Sequence, residues 1–320
     1  MQNDPKKSYF CTMKLITQVE IPSLGRPIGL HNKLAFIGSC FADYMGSRMR
    51  QNGLTALVNP FGVLFNPLSI LQVLTQDPTC KSLYFEDEDH RWHCWLLDTH
   101  FSATSMEACK SAFLSARGRL AGWNPDTLVL TLGTNRYYER LDTKLIVGNC
   151  HKRPRAEFVE KEMSLTQCIA TLETICQLFQ RSRIILTLSP FRYAKYGFHE
   201  SQLAKATLLM AIDAVQKKYP EQVYYFPAYE IVLDELRDYR FYDRDLLHPS
   251  EQAVDYIWER FSDRCFDDET HRYLVDYEPI RKALQHRPEE PDSPAAQRFR
   301  EQTRLRLNEL MTKYNLGLDL

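Results

Sequence analysis

A serine, a histidine and an acid stand out as residues that could act together. Gly38-Ser39-Cys40-Phe41-Ala42 follows an apolar run and opens a helical pattern, while Asp245-Leu246-Leu247-His248 lies far downstream. A hydroxyl at the carboxyl end of a strand, ahead of the free N–H groups of a helix start, sits where α/β sheets gather reacting groups. An Asp three residues before a His can turn back onto the imidazole and fix its tautomer, as a serine nucleophile requires of its base. Gly133-Thr134-Asn135 ends a second apolar run and brings an amide donor suited to a developing oxyanion. Asn59-Pro60-Phe61-Gly62 ends a third, and Gly62 lets backbone N–H approach a ligand closely. The expected chemistry is acyl transfer. Ser39 attacks the carbonyl, His248 takes and returns the proton, and Asp245 orients the imidazole. The N–H groups of Ser39 and Gly62, with the Asn135 amide, hold the oxyanion.

Blander readings compete at each position. Ser39 fits a helix cap. Cys40 could supply a thiolate, but one residue beyond Ser39 its side chain turns away from any groove Ser39 faces, and it reads as a small buried apolar residue. Cys150-His151 is either a substrate-side loop, in which His151 or Lys152 contacts a polar or anionic group, or an ordinary surface turn. Asn59 and Arg192 join His151 as expected substrate contacts. His90, His93, Cys94 and His100 crowd one stretch, yet their spacing alternates faces and no second ligand pair accompanies them, so neither metal nor cofactor is expected.

These residues need a frame. Apolar runs at 34–37, 55–58, 127–132, 183–188 and 223–226 read as strands. Helical patterns cover 42–52, 67–75, 105–121, 165–180, 200–219 and 250–261. Such alternation predicts a parallel five-stranded sheet with helices on both faces. Two stretches, 80–104 and 137–149, read as inserted β-hairpins placed to wall the pocket. Residues 1–12 are expected to be a disordered leader, with Met13 as a plausible true start. The folded domain is expected over 13–285. A breaker-rich linker and a charged helix at 295–314 fill the remainder to residue 320.

Composition narrows the function classes. A formal net charge of −1, with 44% hydrophobic and 25% charged residues, gives no bulk attraction to phosphate backbones or anionic lipid. Nucleic acid and membrane are therefore not expected as partners, and a small acylated molecule, carbohydrate included, is. The nine cysteines are odd in number and scattered without a C-x-x-C pair, which reads as reduced thiols in a cytoplasmic protein.

The order of these segments resembles the SGNH (GDSL-like) hydrolase superfamily: serine after the first strand, glycine after the second, Gly-x-Asn after the third, Asp-x-x-His near the end. Within it, Gly38-Ser39-Cys40-Phe41-Ala42 looks like the signature that names the GSCFA family. The resemblance spans about residues 13–280. It implies a flavodoxin-like three-layer α/β/α sandwich and an esterase-type hydrolase, found largely in Bacteroidetes-like bacteria and mostly of undefined substrate. Two departures are visible. The usual Gly-Asp-Ser is Ile37-Gly38-Ser39, and Arg136 follows Asn135 where an Asp is usual. No G-x-S-x-G elbow exists, which disfavours the α/β-hydrolase fold.

Overall fold

The computed structural model describes residues 16–316. The expected leader at 1–12, with Met13, lies outside the described residues. The chain runs β1 (Leu34–Gly38), α1 (Cys40–Gln51), β2 (Ala56–Val58), α2 (Pro67–Thr75), β3 (Tyr84–Glu86), β4 (Trp92–Cys94), α3 (Met106–Trp123) and β5 (Thr127–Leu132). There follow β6 (Arg136–Arg140), β7 (Ile146–Val147), β8 (Phe158–Glu162), α4 (Leu165–Leu178), β9 (Arg183–Leu188), α5 (Phe198–Lys218) and β10 (Val223–Tyr225). A short α6 (Ala228–Glu230) widens into a π-helical turn over Ile231–Leu236, and α7 (Glu251–Cys265), α8 (Asp268–Gln285) and α9 (Pro294–Lys313) close the described chain.

β1, β2, β5, β9 and β10 form one sheet in the order β10-β9-β5-β1-β2, every pairing parallel. This is the expected α/β/α sandwich with doubly wound, flavodoxin-like order. Its strands are buried on both faces, so they are apolar throughout. Alternate residues divide between two cores. Ala35, Ile37, Leu128, Leu130, Ile184 and Leu186 pack beneath α2, α3, α4 and α5. Leu34, Phe36, Val129 and Ile185 pack beneath α1, α7 and α8. None of the helices is long and apolar enough to cross a membrane, among the described residues.

The insertions differ in part from expectation. β3 and β4 do pair as a hairpin within 80–104. The segment expected as a hairpin at 137–149 is instead three-stranded, because β8 pairs along the whole of β6. β8 reads FVEKE and is mostly half-buried or exposed, so its charges hide its strand character in the sequence. Trp95, Val147 and Phe158 give this region a small core of its own. α8 also carries no helical expectation, having Pro279 in its interior, yet it starts on an Asp267 cap and buries Tyr273, Tyr277 and Ile280. The final helix, α9, lays Leu310 and Tyr314 into the core that holds α1.

Candidate active site

Ser39 lies where β1 gives way to α1. Gly38 makes the turn possible: its φ is +146°, and a Cβ there would stand 2.1 Å from the Thr131 carbonyl oxygen of β5. No other residue fits between strands that close. Ser39 is 1% exposed. Its Oγ accepts from the Phe41 N–H at 3.3 Å, so it caps α1 as well as standing at the sheet's carboxyl edge. Its own N–H donates to the Thr131 carbonyl at 3.0 Å, the last rung between β1 and β5.

The loop after β2 braces this turn. Asn59, expected at the substrate, spends both ends of its amide internally: Oδ1 accepts from the Gly38 N–H at 2.9 Å, and Nδ2 donates to Asp43 of α1 at 2.8 Å. It is a strut between β1 and α1. Gly62 has φ +81°, and a Cβ would meet Asp98 at 2.1 Å, so the β3–β4 insertion presses directly on this loop. The Gly62 N–H donates to the Asn59 carbonyl at 2.9 Å. Asn135 is buried after β5, its Nδ2 donating to the Met163 carbonyl at 2.9 Å while Oδ1 has no partner. Of the three expected oxyanion donors, two backbone N–H groups are thus already engaged. Asn135 retains a second amide N–H.

The expected acid and base, Asp245 and His248, stand on a separate turn ahead of α7. His248 Nδ1 lies 2.5 Å from Asp245 Oδ2, while Asp245 Oδ1 accepts from the N–H groups of Leu247 and His248 at 2.8 and 2.9 Å. These bonds, the imidazole's first, hold the Asp245 carboxyl down at about 2. A carboxylate on Nδ1 fixes the tautomer that leaves Nε2 as the base. The loop after β9 grips the turn. Phe191 packs its ring 4.3 Å from the His248 ring, the Arg192 N–H donates to the Leu247 carbonyl at 3.0 Å, and Arg192 Nη1 donates to the Leu246 carbonyl at 3.3 Å. On α1, burial first, then the charges of Cys40, Asp243 and Asp245, push the Tyr44 hydroxyl up. The helix that follows this turn is tied to α1 by Arg48, whose Nη2 lies 3.3 Å from Glu251 and Nε 2.5 Å from Asp255, while among the described residues no hydrogen bond links Ser39 to His248.

Cys40 is a poor thiolate. Burial above all, with Asp43 beside it, pushes its pKa up. Below it lies a residue absent from the sequence-based site, Lys205 of α5, 1% exposed, whose Nζ donates to the Ser189 carbonyl at 2.6 Å at the end of β9. Burial pulls it down to about 7. Its signal was present in the sequence: Lys205 falls on the stripe of Ser201, Leu208, Ile212 and Val215 that α5 buries. His151, expected at the substrate, is held among aromatic rings. Its Nε2 bonds the Cys94 carbonyl at 2.9 Å among Phe85, His93 and Trp95, and burial brings it down to about 4. His90, His93 and His100 each pair with a different carboxylate, Glu86, Asp87 and Asp98. Among the described residues, no three His, Cys, Asp or Glu side chains gather so as to hold a metal ion, and every cysteine is a free thiol.

Several solved structures resemble the chain. A family two carbohydrate esterase from Clostridium thermocellum, in complex with cellohexaose, aligns at 13% identity and TM-score 0.38 over 75% of this chain and 65% of that one. The chain thus spans less than two thirds of that esterase. An acetylxylan esterase from Geobacillus stearothermophilus aligns at 12% identity and TM-score 0.41, over 76% of this chain and 98% of that one. An acetyl xylan esterase from the rumen bacterium Butyrivibrio proteoclasticus aligns at 13% identity and TM-score 0.37, over 74% and 64%. No curated protein matches. A model described as the GSCFA domain protein, C-terminal domain, matches residues 277–319, the end of α8 through α9. The GSCFA family model matches residues 33–261, from the approach to β1 through most of α7, and the chain belongs to the GSCFA family.

Proposed function

We propose that this chain is a cytoplasmic serine esterase that removes a small acyl group, acetyl foremost, from an alcohol such as a sugar or cell-wall precursor. One observation carries the reading: a tautomer-fixed His248–Asp245 pair, 2.5 Å apart, on the turn that leads into α7, whose Glu251 and Asp255 pair with Arg48 of the helix that Ser39 caps. Ser39 Oγ attacks the carbonyl as His248 Nε2 takes its proton. The tetrahedral oxyanion falls first to the free N–H of Asn135, and the Ser39 and Gly62 N–H groups join only by giving up their present carbonyls. His248 then protonates the departing alkoxide, and water repeats the sequence on the acyl-serine. An alcohol in place of water makes the same residues an acyltransferase. Free, mostly buried thiols support the reducing compartment.

A second reading has a specific observation in its favour. Ser39 is buried and already caps α1, as it would in a binding protein that uses the loops alone. One assay separates the two: p-nitrophenyl acetate and O-acetylated sugars offered to the wild type and to Ser39→Ala. Turnover lost in the variant, with its fold intact, is expected. Turnover that survives Ser39→Ala, or none in either protein, removes the esterase reading.

A further inference from the structure

If His248 protonates the leaving oxygen, the alcohol portion of the substrate must lie against the residues that flank His248. Arg192 is that flank, bonded by its backbone and guanidinium to the carbonyls of Leu247 and Leu246. Arg192 also lines a cavity of about 290 Å³, together with Phe198, Arg237, Asp238, Tyr239 and Tyr242 among others. This is close to the small end of ligand pockets, roughly 300 Å³, and suits one sugar ring.

The lining has a definite chemistry. The Arg192 guanidinium lies 4.3 Å from the Phe198 ring centre, 5.2 Å from that of Tyr242 and 5.9 Å from that of Tyr239. Stacking holds the fork in place without a counter-charge. Neither Arg192 nor Arg237 has a carboxylate partner among the described residues. The one acid of the lining, Asp238, is met by its own neighbour: Oδ1 accepts from the Arg240 N–H at 2.9 Å, and Oδ2 lies 3.7 Å from the Arg240 guanidinium. Two uncompensated guanidiniums beside aromatic faces match a ring that carries an oxyanion, since a fixed guanidinium fork pairs bidentately with carboxylate or phosphate.

Resting on the esterase reading for its placement, we propose that the alcohol portion of the substrate is an anionic sugar ring. The ring stacks on Tyr239, and its carboxylate or phosphate pairs with Arg192, with Arg237 as the second cation. The test reads binding without turnover, by calorimetric titration of the Ser39→Ala protein with methyl β-glucuronide, glucose 6-phosphate and neutral methyl β-glucoside. At least one anionic sugar should bind tenfold or more tightly than the neutral one. The two anionic arms tell carboxylate from phosphate. The advantage should shrink in high salt and vanish in Arg192→Gln, while Tyr239→Ala, at an exposed position, weakens all three ligands alike. Equal binding of neutral and anionic sugars, no binding of any, or an anionic advantage that survives both Arg192→Gln and Arg237→Gln would overturn the assignment. Because the readout needs no hydrolysis, a failed esterase assay and a failed sugar titration remain separate results.

Discussion

The two halves of the candidate site are built in opposite ways. Ser39 is 1% exposed, fixed by β1, β5, α1 and the loop after β2, and its position follows from sheet geometry. Asp245 and His248 stand on a local turn with side chains 44% and 34% exposed, shaped by Leu246 at φ +58° and by bonds within a few residues. A side chain sunk into the sheet cannot be moved without disturbing the core. A pair of side chains on a surface turn can be altered at little cost in stability. Changes on the first side should therefore mix chemistry with folding, and changes on the second should separate them.

Ser39→Ala gives the largest effect, a loss of kcat/KM of about a thousandfold or more. Losing the cap should cost about 1 kcal/mol of stability, read from thermal unfolding. A variant as active as the wild type would reduce Ser39 to its cap. Gly38→Ala comes next, destabilising the fold by about 3 kcal/mol or more in urea titration, because a Cβ meets the Thr131 carbonyl at 2.1 Å and φ is positive. Asp245→Asn should lower kcat by about a hundredfold or more, since His248 Nδ1 loses the carboxylate that fixes its tautomer. Its stability should barely change. Asp245 is depressed to about 2 in the fold, so its stabilisation is full above about pH 4 and fades as pH falls toward 2, weakly at so exposed a position.

Lys205 joins the two halves, because the Ser189 carbonyl it holds begins the loop that carries Phe191 and Arg192 to His248. Burial depresses it from 10.5 to about 7. Between those values the unfolded chain binds more protons, so stability should rise with pH from about 7 to 10. Lys205→Met should flatten that rise and stabilise the chain at neutral pH by about 1 kcal/mol or more, in denaturant titrations at several pH values. An unchanged slope would show that Lys205 is not the group responsible. Leu246→Gly is the smallest, under about 1 kcal/mol in either direction, because glycine relieves a left-handed residue whose side chain is 48% exposed.

The parallel strands were legible because strands covered on both faces leave uninterrupted apolar runs, as Thr127–Leu132 and Arg183–Leu188 show, whereas their order came only from the family resemblance. The contact between Asp245 and His248 was legible as well, since a three-residue spacing constrains where Asp245 can reach. What could not be read is contact between distant segments. That the Asn59 amide serves Gly38 and Asp43, that Asp98 fills the space over Gly62, and that β8 completes a sheet with β6 all depend on partners 16 to 36 residues away or on charges that mask a strand. His151 looked available because nothing in its neighbourhood foretold the aromatic cluster of Phe85, His93 and Trp95.

The far end of the helix that Ser39 caps has a consequence for synthesis on the ribosome. The Tyr273 hydroxyl of α8 donates to the Gly53 carbonyl just beyond α1 at 2.9 Å, and the Tyr314 ring closes on Tyr273 at 5.3 Å. The first helix of the described residues is therefore among the last of them to be covered. Through most of translation its apolar face waits for side chains more than 200 positions downstream, so a nascent chain stalled before α8 should expose Met45 and Met49 to holding chaperones that the finished protein escapes.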